Sequence, residues 1–180
     1  MISDNELMLK IINGDTDQIG LLFERYNKML FGYFFKLTKN QEMSEDLVSD
    51  VFLKILKSKD KYRGDGIFRV WMFRIAHSLF VDLYNKNKRL VVRDSVFLNE
   101  PESEGEDSHQ MIERSENKKL VHQALLRLNE KEREVIVLSK LDEMKYKEVA
   151  EILNCSEEAV KVRTFRALKN LKNVLLKMQN

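Results

Sequence analysis

Apolar residues recur at three- and four-residue spacing along most of this chain, the period of helices that bury one face. Ser3-Asp4-Asn5-Glu6 has capping-box spacing, and the short helix behind it places Leu7, Leu9, Ile11 and Ile12 as its apolar positions. Asn13-Gly14-Asp15 ends that helix, and Thr16 or Asp17 starts a longer one. In it Ile19, Leu22, Phe23, Tyr26, Leu30, Tyr33, Phe34 and Leu37 keep the period to about Thr38. Ser44 is placed to cap a third helix with Leu47, Val48, Val51, Phe52, Ile55 and Leu56 inward. Two glycines in residues 59–66 break the pattern into a loop, and a fourth helix follows from about Phe68 to Lys88, with Trp71, Ile75, Leu79 and Leu83 as its core face.

Residues 94–117 hold the proline and a glycine and show no sustained period, so they read as a linker. Beyond them a second block of four or five helices breaks at Asn129, at Asp142-Glu143 and at Asn154-Cys155-Ser156. The pattern predicts an all-α chain of two small helical domains, 1–93 and 118–180, joined by that linker. Within the second domain, Tyr146 to Leu153 is a two-turn helix with Val149, Ala150 and Leu153 inward. Asn154 suits a left-handed turn, Cys155 is small and apolar, and Ser156 can cap a longer helix from Glu157 to about Lys177. Small alanine, tight turn and longer second helix make a helix-turn-helix.

Charge sharpens this division. The formal net charge is only +2, but residues 94–117 carry eight acids and one base. The block before them has sixteen bases to twelve acids, and the block after has fourteen to nine. Two basic domains therefore flank an acidic strip. The last helix sorts into faces: Val160, Thr164, Ala167, Leu168, Leu171 and Leu175 inward, and Glu158, Lys161, Val162, Phe165 and Lys169 on another stripe flanked by Arg163 and Arg166. From Lys161 to Lys177 it has six bases and no acid. That is the composition of a helix set into a DNA groove, with bases for phosphates and side chains near the N-terminus for base edges.

Other chemistry is unsupported. One cysteine, Cys155, leaves no internal disulfide or multi-cysteine metal site, and its expected role is that of a buried small hydrophobe. His77, His109 and His122 have no companions at ligand spacing, and there is neither a glycine-rich phosphate loop nor a nucleophile–base pattern. No catalytic residue, metal or cofactor is expected. No signal-peptide core or membrane-length apolar run is present, so the expected location is the cytoplasm.

Three stretches carry a family resemblance. Ser44 to Lys54, a glycine-containing basic loop, and the helix Phe68-Arg69-Val70-Trp71-Met72-Phe73-Arg74-Ile75-Ala76-His77-Ser78-Leu79-Phe80-Val81-Asp82 together resemble domain two of extracytoplasmic-function sigma factors, of the sigma-70 superfamily. The run from Leu128 through Glu132-Arg133-Glu134 to Arg166-Ala167-Leu168 resembles their domain four. The resemblance implies a factor that directs RNA polymerase core to promoters. Asp46, Asp50 and Lys54 would dock on the coiled-coil clamp of the polymerase's large subunit. Lys59, Lys61, Tyr62, Arg63, Phe68, Arg74, His77 and Ser78 would melt and read the promoter element nearer the start, with Tyr62 and Phe68 stacking on extruded bases.

Glu158, Lys161, Val162, Arg163, Phe165, Arg166 and Lys169 would bind the upstream element, and part of domain four would touch the polymerase flap. An anti-sigma protein is a further implied partner, and the acidic linker would imitate the charge of nascent RNA in a basic channel. Ser78, Asn85, Thr164 and Phe165 depart from the residues common in the family, so promoter sequence does not transfer. The residues alone also fit a stand-alone helix-turn-helix regulator, which would leave 45–54 and 68–82 unexplained.

Overall fold

The computed structural model describes residues 2–91 and 119–179, with side chains at 87–91 and 179 excepted, and every regular element among them is helical. Residues 94–117, expected as the linker, lie outside the described residues. The N-terminal half comprises α1 (Asp4–Ile12), α2 (Ile19–Thr38), α3 (Gln41–Lys57) and α4 (Phe68–Val91). The C-terminal half comprises α5 (119–126), α6 (Glu130–Ile136), α7 (Tyr146–Ile152) and α8 (Glu157–Gln179).

Several boundaries follow directly from side-chain chemistry. Ser3 and Glu6 close the capping box at α1, each satisfying the other's backbone N–H. Asn129 accepts from the Glu132 N–H at 2.9 Å and starts α6. The third helix begins earlier than the sequence suggested: Asn40 is its cap, accepting from the Met43 N–H at 2.9 Å. Ser44 is instead buried inside α3, donating to the Asn40 carbonyl at 2.6 Å and lying 3.0 Å from the Thr38 hydroxyl. Its hydroxyl thus ties the end of α2 to the start of α3.

The core faces follow the period with five corrections, two of them that Phe23 in α2 is exposed and that Ile152 is buried in α7 where Leu153 is half-buried. In α1, Met8 rather than Leu9 joins Leu7 and Ile11 in the interior, and Leu9 is exposed. In α4 the fully buried residues are Met72, Phe73 and Ala76, with Val70 and Phe80 nearly so, while Trp71, Ile75, Leu79 and Leu83 are only half-buried. In α8, Leu168 is exposed. The α4 discrepancy has a physical cause: α4 packs against α3 on one side and α7 on the other. A helix covered by two neighbours buries more than one stripe.

The two halves share one continuous apolar core, and a set of polar contacts runs through the seam between them. Tyr33 on α2 donates to the Glu134 carboxylate on α6 at 2.5 Å, and His77 Nδ1 on α4 lies 2.7 Å from the same oxygen. Glu134 is 4 % exposed. Lys36 pairs with Asp142, and Arg69 with Glu148 at 3.2 Å. Arg133 reaches four carbonyls: Leu125 at 3.0 Å, Leu126 at 2.7 Å, Leu128 at 3.1 Å and, across the seam, Leu37 at 2.6 Å. The Leu125, Leu126 and Leu37 oxygens belong to the ends of α5 and α2, where helical carbonyls lack partners and a cation is favoured, and that of Leu128 to the turn after α5.

Arg133→Met keeps much of the aliphatic stem and removes every one of those hydrogen bonds. It should lower the unfolding free energy by about 3 kcal/mol, measured by urea denaturation, with Arg133→Lys recovering only part of the loss.

Candidate nucleic-acid interface

The clearest surface is built by α7, the turn after it, and α8. Leu153 closes α7, Asn154 takes the left-handed conformation (φ 49°), and the Cys155 N–H returns to the Ala150 carbonyl at 3.0 Å. This is the hydrogen-bonding pattern of a Schellman end. Ser156 then accepts from the Ala159 N–H at 3.1 Å and opens α8. Val160, Thr164 and Ala167 are buried, and Val149, Ala150 and Ile152 bury the facing side of α7. Ala150 supplies the small contact residue that a close helix crossing needs. The helix-turn-helix expected from the sequence is present. Cys155, expected as buried, is half-buried, with the Arg163 guanidinium 3.7 Å from its sulfur.

Opposite that buried stripe, Glu158, Lys161, Val162, Arg163, Phe165, Arg166 and Lys169 are all exposed. Lys161 pairs with Glu157 at 2.9 Å one turn away. Such an exposed pair adds little stability and leaves the ammonium free to exchange onto a phosphate.

The residues expected at the downstream element divide differently. Lys61, Arg63, Arg74 and Ser78 are exposed. Helical spacing puts Ile67, Trp71, Arg74 and Ser78 on one stripe of α4 and its approach. Tyr62 and Phe68 are interior, 7 % and 2 % exposed, packed edge-on at 6.0 Å and both against Trp71. The Tyr62 hydroxyl bonds Asn5, and burial raises its pKa. Stacking on extruded bases is therefore not available to these two rings in this arrangement. Lys59 also has a structural task, donating to the Ile11 carbonyl at the end of α1 at 3.1 Å. Asn5 holds the loop a second time through the Gly64 carbonyl at 3.3 Å. His77 is held by Glu134 rather than open to solvent. Sequence reasoning missed Ile67, which is 58 % exposed at the head of the stripe.

Asp46, Asp50 and Lys54 are exposed at four-residue spacing on α3, with Leu53 exposed beside them. Exposed Phe23 of α2 packs on buried Phe52 of α3, ring centroids 4.9 Å apart. Among the described residues no helix is long and apolar enough to cross a membrane, and no cluster of metal-ligating side chains forms.

The seam also contains groups with displaced titration. Burial, then repulsion from Lys39 and Lys36, lowers the pKa of His122, whose Nδ1 has no hydrogen-bond partner. Burial raises that of Asp142 although Lys36 opposes it, and burial with the Glu134 charge raises that of Tyr33.

Two family models match the chain: "Sigma-70 region 2" over residues 22–90 and "Sigma-70, region 4" over 118–171. RNA polymerase sigma factor YlaC of Bacillus subtilis is 29% identical over 163 residues, covering 89% of this chain and 94% of that protein. ECF RNA polymerase sigma factor BldN of Streptomyces coelicolor is 27% identical, covering 96% and 67%. Among solved structures, CnrH in complex with the cytosolic domain of CnrY has a TM-score of 0.73 at 27% identity, with 96% of each chain covered. The sigma factor RpoE in complex with the anti-sigma factor NepR, from Bartonella quintana, gives 0.69 at 25% identity, covering 89% of this chain and 98% of that one.

Because the native state lowers the pKa of His122, the unfolded chain takes up that proton first. Stability from this residue is complete above about pH 6.5 and is lost as pH falls through the native value. Asp142 has the opposite sign, contributing at acid pH and losing its contribution as pH rises through its raised value. Urea midpoints measured from pH 8 to pH 5 should fall more steeply for the unaltered chain than for His122→Gln. Parallel profiles would contradict the assignment.

Proposed function

The chain belongs to the extracytoplasmic-function sigma factors of the sigma-70 family, and from that premise we propose how its surfaces divide the work of starting transcription. It seats on RNA polymerase core, directs it to particular promoters and helps open the duplex there. The protein supplies recognition and strand separation; RNA synthesis belongs to the polymerase. Its place of work is the cytoplasm.

The observation that carries this reading is the exposed basic face of α8, standing directly opposite the residues that pack it onto α7. A helix so charged gains affinity by releasing counterions from DNA phosphates, whatever the sequence. Lys161, Arg163, Arg166 and Lys169 serve that role, and Glu158, Val162 and Phe165, on the same outward stripe, face base edges at the upstream element.

On the N-terminal half, Asp46, Asp50 and Lys54 with exposed Leu53 form the face for the coiled-coil clamp of the large subunit. Lys61 and Arg63 hold the backbone of the downstream element, and Arg74 and Ser78 contact bases. Ile67 and the half-exposed edge of Trp71 take the place intended for Tyr62 and Phe68, offering an apolar surface to a base that leaves its stack. A carboxylate-rich segment at 94–117 suits the polymerase's basic RNA channel. An inhibitor protein of the kind bound to the Bartonella RpoE is a further partner.

Size adds a constraint. The resemblance places the two promoter elements about 10 and about 35 base pairs upstream of the start, roughly 85 Å apart at about 3.4 Å per pair. A compact body of this chain length is roughly 40 Å across. The halves therefore separate when both elements are held, which also frees His77 and Arg69 from Glu134 and Glu148.

Core polymerase should be retained by the immobilised chain and should start RNA at new, defined positions when the chain is added. Retention without new start sites, or neither, would contradict the reading. Asp50→Lys should weaken core binding with helicity unchanged. Arg166→Ala should weaken promoter binding across all promoters and reduce the salt slope of holoenzyme binding by about 1.

A further inference from the structure

Phe165 is 72 % exposed, the most exposed large apolar side chain among the described residues, and Val162, one turn earlier, is 48 % exposed. Both lie on the outward side of α8, away from buried Val160, Thr164 and Ala167, with Lys161, Arg166 and Lys169 around them. A helix with this ring of bases is drawn to phosphate, so its outward centre faces the floor of the major groove. There the two apolar side chains have no donor or acceptor to offer. Over a guanine, cytosine or adenine edge they would displace water from groups that then go unpaired, which is unfavourable. The one apolar group a base pair presents in that groove is the C5-methyl of thymine.

We propose that Val162 and Phe165 make this reader select thymine, by packing against thymine methyl groups in the upstream element. The inference rests on the promoter-binding reading above and adds what that surface prefers. Selection has two parts, a gain over methyl and a penalty over the polar edges of other bases. The axial offset of Val162 and Phe165 is about 4.5 Å, three residues of helical rise. That is close to the roughly 3.4 Å step between base pairs. The two side chains therefore reach neighbouring pairs, on either strand.

The test uses holoenzyme made from the full chain and core polymerase on a promoter recovered from its own start sites. Each upstream thymine is replaced singly by deoxyuridine, which lacks only the methyl. Replacement at one or two adjacent pairs should weaken binding about fourfold each. Phe165→Ala should lose sensitivity at one of these positions and Val162→Ala at the other, whereas Phe165→Leu should retain it. Because both side chains are exposed, these variants keep the fold, which circular dichroism checks.

Tolerance of deoxyuridine at every position would overturn the proposal, as would unchanged sensitivity in Phe165→Ala or an upstream element without thymine on either strand. If Phe165→Ala weakened only association with core, the ring would be a protein contact and the proposal would fall. Failure to start RNA at any promoter would instead remove the sigma-factor reading on which it rests.

Discussion

Burial of the Glu134 carboxylate is the constraint on which this arrangement turns. A carboxylate removed from water is strongly unfavourable unless donors replace the lost hydration. Here the donors come from the other half of the chain, Tyr33 on α2 and His77 on α4, about one hundred and about sixty residues away in sequence. Next to it, Arg133 closes helix ends from both halves with one guanidinium. When the halves part, Tyr33 and His77 lose Glu134, and Arg133 loses the Leu37 carbonyl while keeping those of Leu125, Leu126 and Leu128. The seam therefore favours full seating or full separation over a loose association.

This has consequences for what each half presents. With the halves seated, the outward face of α8, the stripe proposed for docking on α3 and the Arg74–Ser78 edge of α4 stay accessible. His77 and Arg69 are half-buried and held by Glu134 and Glu148. The face proposed as upstream reader is fully exposed in this form, while the one proposed as downstream reader has His77 tied to Glu134. Opening exposes the part of the shared apolar core that lies between the halves, while Glu134, His77, Lys36 and Asp142 regain hydration. The cost of opening is moderated by the solvent that replaces each partner.

Much of the architecture was legible because its signals are local. The capping box at Ser3, the left-handed Asn154 and the Ser156 cap each depend on residues within one turn and appear as expected, and the break expected at Asn129 is a helix cap. The helix-turn-helix and the outward stripe of α8 follow from the same short-range rules. Periodicity failed where a helix has two neighbours: α4 shows a clear Trp71-Ile75-Leu79-Leu83 stripe, yet its deepest residues are Met72, Phe73 and Ala76. It failed again for Tyr62 and Phe68, because an aromatic near a basic loop looks alike whether it faces a base or Trp71. Asn5, which holds the loop, lies almost sixty residues from it. The seam was invisible for the same reason, since no spacing rule connects Tyr33 with Glu134. Thr164 is buried with an unpartnered hydroxyl, and nothing in the structure explains why it stands where an aliphatic residue would pack.

The most direct measurement is the distance between spin labels at exposed Lys28 on α2 and Lys172 on α8, with Cys155 replaced by serine. For the free chain, the account predicts a single narrow distribution. Bound to core polymerase on promoter DNA, the separation should lengthen by tens of ångströms, toward the roughly 85 Å between the two elements. A broad distribution in the free chain, as for two bodies on a tether, would contradict the shared core and its polar seam. An unchanged short distance on the promoter would contradict the separation that reading both elements requires.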